Sequence, residues 1–147
     1  MKTFYILFFT LSLILCGTSL QAQTTKPPVD GDWKIKSLKD SGKMIDLSAK
    51  ETEVTINTKS KNIAVYIGCN HISSPFEFIT ADKIKPFVLT ATRKSCSSLQ
   101  DLESALIYVL EQTNSVRKNG AKTEFYKDND LLMVLERVVD NGKKKKH

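Results

Sequence analysis

Ser97–Thr113 reads SSLQDLESALIYVLEQT, and its apolar residues keep a helical period where the rest of the chain keeps a strand period. Leu99, Leu102, Leu106, Val109 and Leu110 recur at spacings of three and four, which places them on one helical face. Ser97 followed by Gln100 has the form of a capping box, and Asp101 and Glu103 suit the positive end of a helix dipole. The pattern predicts a helix over 98–113.

Outward from that helix the signal is strand on both sides. Towards the N-terminus, Trp33 and Ile35 face one way and Lys34 and Lys36 the other, the alternation of a half-buried strand. Val54, Ile56 and Thr58 alternate with Thr55 and Asn57 in the same fashion. Ile63–Ile67 (IAVYI) is apolar on both faces, which predicts a central strand buried on both sides. Phe76 with Phe78, and Phe87 with Leu89, mark two further strands around a polar Thr80–Lys83 turn. Towards the C-terminus, Asn119-Gly120 between Val116–Lys118 and Lys122–Tyr126 is a strong hairpin signal, and Asp128-Asn129-Asp130 leads into Leu131–Leu135. The expected fold is mainly β, of the α+β class. It is a small, antiparallel, barrel-like sheet of about seven to eight strands with one helix packed on it. The single Trp33 is expected to fill the core, with ligand stacking as the alternative.

With 147 residues, 41% of them apolar and 26% charged, the chain has a globular composition and room for one core. The N-terminus begins with Lys2, runs through apolar Phe4–Cys16 and turns polar over Thr18–Gln23. That is the form of a secretory leader, and the apolar run is shorter than the roughly 20 residues that span a bilayer. Cleavage after Ala22 is expected, giving a leader over 1–22, a Pro27-Pro28 linker over 23–30, a domain over 31–139 and a tail over 140–147. An uncleaved anchor extending through Leu20, and lipidation at Cys16, are the alternatives. Lipidation would attach the protein to the outer membrane, and otherwise the chain should be periplasmic or secreted.

The formal net charge is +6, and four of the positive residues lie in Lys143–Lys146. The body of the chain is therefore nearly neutral, unlike a nucleic-acid binder, whose cations spread over a folded face. The lysine run reads as a solvated tail, with contact to anionic lipid or a polyanion as the alternative. Asp40, Asp46, Glu51, Glu53 and Glu77 are scattered, so no paired-carboxylate hydrolase can be read. No cofactor or metal motif is present, and a monomer is expected.

Removing the leader takes Cys16 and leaves Cys69 and Cys96. An even count in an exported chain favours a disulfide between them. Buried free thiols are one alternative, and a zinc site is another, with only His71 to add to the two sulfurs. A Cys69/His71 nucleophile pair is a third.

Val65-Tyr66-Ile67-Gly68-Cys69-Asn70-His71, followed by Thr92-Arg93-Lys94-Ser95-Cys96, resembles the META domain family of HslJ-like envelope heat-shock proteins. Gly68, Cys69, Asn70, Thr92 and Cys96 match the family's Gly-Cys-Asn and Thr-x-x-x-Cys elements. Gly31–Ile35 is similar to its first strand and Leu131–Arg137 to its last, so the resemblance covers about residues 31–137. Val65 and Ser74 stand where the family often has glycine. The resemblance implies a small barrel-like β fold with one helix, exported, often lipid-attached, and linked to heat and antibiotic stress without established enzymology. Read as residues, Gly68 can kink the chain where a buried strand ends, and Asn70 suits bonding backbone groups at that bend. Three functions compete on this reading. The first is a non-enzymatic envelope module serving stress tolerance or a protein partner. The second is a small-molecule binder with a barrel-mouth pocket at Tyr66, Phe76, Phe78 and Tyr108. The third is a thiol enzyme on Cys69 and His71.

Overall fold

A computed structural model describes residues 28–138. The expected leader over 1–22 with Cys16, the expected cleavage after Ala22, the expected end of the domain at 139 and the Lys143–Lys146 run lie outside the described residues. Nine antiparallel strands form one curled sheet: β1 Gly31–Asp40, β2 Lys43–Asp46, β3 Glu53–Asn57, β4 Asn62–Tyr66, β5 His71–Pro75, β6 Thr90–Ala91, β7 Ser115–Asn119, β8 Lys122–Lys127 and β9 Asp130–Arg137. The hydrogen-bonded order is β6-β5-β4-β3-β1-β9-β8-β7, with β2 paired to β1 off that path. The one helix among the described residues, α1, spans Gln100–Gln112 and packs against β1. The sheet does not close into a barrel through strand pairing. At the β7 edge, a loop after β5 supplies bonds instead: Val116 N–H donates to Asp82 O (2.8 Å) and Ile84 N–H to Asn114 O (3.1 Å).

β1 is long because it serves three partners, β3 at its start, β9 in the middle and β2 at its end. A bulge between Ile35 and Ser37 shifts its register. The core-facing set is therefore Trp33, Ile35 and Leu38, which a strict period of two would miss. Trp33 is fully buried, as expected of a core filler, and its Nε1–H donates to Val29 O at 2.9 Å. Val29 itself is fully buried, so the fold takes hold before Gly31. Lys118 Nζ lies 4.3 Å from the Trp33 ring centroid, a cation–π contact. Burial and the neighbouring Arg137 charge hold the Lys118 ammonium pKa below its ordinary value.

Several local expectations are corrected. Ile63–Ile67 is not buried on both faces: Ile63, Val65 and Ile67 point into the core, while Ala64 and Tyr66 are half-exposed on the outer side of the sheet. Thr58 does not continue β3. It sits in the following turn, where its N–H and hydroxyl bond the Asp30 carboxylate. Phe76/Phe78 and Phe87/Leu89 do not form two strands; their segment is irregular apart from a Phe78–Ile84 bridge and a Lys83–Ser115 bridge to β7. Pro75 and Pro86 each remove a ladder donor there. The phenylalanines pack as a chain of rings instead, with Phe76–Phe78 centroids at 5.2 Å, Phe76–Phe87 at 6.1 Å and Phe87–Phe125 at 6.5 Å. The strand in this region is β5, whose inward residues are Ile72 and Ser74. The β1–β2 hairpin, which the apolar pattern did not signal, turns through Ser41 and Gly42, both at positive φ (46° and 81°), as type I′ turns require. The Asn119-Gly120 hairpin exists with its loop one residue on, since Asn119 pairs with Lys122.

α1 buries Ala105, Leu106, Val109 and Leu110, the face that its period predicted. Its start differs. No side chain caps it, and Ser97 and Gln100 form no capping box. Leu99 N–H bonds Cys96 O in a tight turn (3.0 Å), which sets the helix start beyond reach of Ser97.

Thr123 is fully buried, and its hydroxyl has no hydrogen-bond partner. A buried hydroxyl without a partner costs free energy that a methyl of the same size does not. Thr123→Val should therefore stabilise the fold by about 1 kcal/mol, read as a higher urea midpoint at unchanged slope.

Candidate functional site

The site forms where β4 ends. Gly68 has φ of 102°, and a Cβ there would meet Leu99 Cδ1 at 3.1 Å, so both the backbone and the approach of the pre-helix turn call for glycine. The kink delivers Cys69 to Cys96, and the two are joined in a disulfide with Cα atoms 6.3 Å apart. It ties the β4–β5 turn to the turn that launches α1. With its sulfur in that bond, Cys69 has no thiolate to offer a nucleophile pair or a zinc ion. Among the described residues, no three His, Cys, Asp or Glu side chains gather as metal ligands.

Asn70, only 6% exposed, is the hub. Its Oδ1 accepts from Thr92 Oγ1–H (2.9 Å) and from Lys94 N–H (2.8 Å). Its Nδ2 donates to Glu103 Oε2 (2.8 Å) and Lys94 O (3.2 Å), and its backbone N–H donates to Glu103 Oε1 (2.9 Å). Every polar atom of the side chain is thus used. Thr92 Oγ1 also accepts from His71 N–H (3.0 Å), and Thr92 N–H donates to His71 O (3.0 Å). Gly68, Cys69, Asn70, Thr92 and Cys96 therefore converge on one clamp between β5, β6 and α1. Sequence reasoning missed Glu103, which it had placed at the helix dipole. The clamp is more specific: the carboxylate fixes α1 against the Asn70 backbone and side chain together.

The proposed pocket residues are not brought together. Tyr66 stacks on His71 on the outside of the sheet, with centroids 4.6 Å apart. Phe76 and Phe78 are buried in the core, and Tyr108 is exposed on the outer side of α1, beside a shallow depression formed with the β1–β2 turn. Phe76, Phe78 and Phe87 instead pack in the core with Leu106, Val109 and Leu110 of α1. The larger concavity, of about 630 Å³, lies elsewhere, between the β6 edge with its 92–96 extension and one face of α1. Asn70, Ala91, Arg93, Lys94, Glu103 and Ile107 contribute to its lining.

A curled antiparallel sheet with one covering helix, stapled where a Gly-Cys-Asn turn meets a Thr-x-x-x-Cys segment, defines a small β scaffold. The family model of the META domain matches residues 24–138, and the chain belongs to the META domain family. Its fold is similar to that in the NMR structure of a protein from Burkholderia xenovorans, with a TM-score of 0.58 at 19% identity over 74% of this chain and 82% of that one. No curated protein matches the chain significantly.

Proposed function

We propose that the protein is a non-enzymatic, exported module of the bacterial cell envelope, which binds a partner in support of stress tolerance. The observation that carries this reading is the state of the motif. Its two sulfurs are joined, and the polar groups of Asn70 and the Thr92 hydroxyl are spent on one another, on backbone and on Glu103. Residues engaged this way hold a loop in place and are not free to attack a substrate. A structural disulfide also suits an oxidising compartment, in keeping with the leader-like pattern of residues 1–22. Fractionating the native host and sequencing the protein's N-terminus tests the compartment. The expected result is a chain beginning after Ala22 in the periplasm or medium, or an acylated chain beginning at Cys16 in the envelope. A cytoplasmic chain that retains Met1 would contradict the proposal.

A further inference from the structure

The concavity beside the motif has the walls of a peptide groove. One wall is a strand edge: β6 is the outermost strand on its side of the sheet, and the chain continues from it through Arg93 and Lys94. Thr92 N–H points to His71 O, within the sheet. Strand alternation then turns the Ala91 N–H the other way, out of the sheet and towards the groove. The opposite wall is the α1 face carrying Gln100, Glu103, Ile107 and Glu111, a length of about 16 Å at the helical rise. That length accommodates about five residues of extended chain. Between the walls, Ile72, Leu89 and Ile107 supply an apolar floor.

The two ends of the groove differ in charge. At the motif end Arg93 and Lys94 are exposed and make no ion pair among the described residues, and Glu103 there is committed to Asn70. Glu111, towards the C-terminus of α1, is likewise exposed and unpaired among the described residues.

We infer that this groove binds an extended peptide segment of a partner protein by strand addition to β6. The inference deepens the reading of the protein as a binding module. Main-chain bonds to the Ala91 edge supply register, alternate apolar side chains enter the floor, and opposite charges at the peptide's ends match Arg93/Lys94 and Glu111. An acidic group belongs at the Arg93/Lys94 end and a basic one at the Glu111 end.

The test pans a phage-displayed random octapeptide library against the oxidised, exported protein, with Ala91→Pro as the counter-target. Proline is tolerated on a strand edge whose N–H faces away from the sheet, so Ala91→Pro should keep its melting temperature while losing the edge donor. The expected peptides alternate apolar residues between an acidic and a basic end and bind the native protein in preference to Ala91→Pro. Their affinity should fall about tenfold for the Arg93→Glu/Lys94→Glu variant. Absence of any peptide enriched over the Ala91→Pro counter-target would overturn the inference. So would enriched peptides that lack the charge pattern and bind the double variant equally well. Such a failure leaves compartment and disulfide untouched, and those fail separately by fractionation and thiol labelling.

Discussion

Asn70→Ala should cost about 3 kcal/mol of folding stability, the upper range for stranding buried polar groups. The substitution strands more than one group. Lys94 N–H and the Thr92 hydroxyl lose their acceptor, and Glu103, part-buried, retains only the Asn70 backbone N–H. Urea denaturation with unchanged slope would report the loss as a lower midpoint. Asn70→Asp sharpens the test because it keeps the shape but turns the Nδ2 donor to Glu103 and Lys94 O into a charged acceptor. It sets a second carboxylate against Glu103, so at neutral pH its stability should fall as far as that of the alanine variant. Like charge raises the pKa of the pair in the folded state above its unfolded value. The penalty should therefore shrink as pH falls through that raised value and one carboxyl takes up a proton. An Asn70→Asp protein as stable as the native one at neutral pH would contradict the clamp.

The disulfide carries a loss of similar size. Cys69 and Cys96 are 27 residues apart in sequence, and opening a loop of that length costs about 3–4 kcal/mol on the loop-entropy model. For a domain of this size, Cys69→Ala/Cys96→Ala should lower the melting temperature by about 15 °C or more. The Asn70 clamp and the disulfide fix the same two turns, so the losses should not add. Once the disulfide is gone, removing Asn70 should cost measurably less than it does in the native protein, which a double-mutant cycle reads directly. Additive losses would mean that the two devices hold independent parts of the fold.

The physics of particular residues explains what the sequence disclosed. α1 was legible because five apolar residues at helical spacing admit no strand reading, and Trp33 because so large an apolar ring seldom stays on a surface. Its cap was not legible, since the tight Cys96–Leu99 turn displaced the helix start from Ser97. β5 was hidden because its inward positions are Ile72 and Ser74, and the phenylalanines after it read as strands although two prolines break their ladder. On the site, the pairing of Cys69 with Cys96 followed from the cysteine count and the expected export of the chain. Glu103 could not be found that way: only the folded chain shows that it faces Asn70 across 33 positions of sequence. The groove was equally invisible, because its walls come from a two-residue strand and from the less apolar side of α1.

On the proposed reading the motif is a staple and not a reactive centre. The most direct measurement is peptide mass mapping of the protein from its native host, denatured and alkylated with and without prior reduction. The prediction is that the peptides containing Cys69 and Cys96 take no label until reductant is added, and that both then label fully. Labelling of Cys69 and Cys96 without reductant would contradict it, and would return Cys69 and His71 to consideration as a thiol centre.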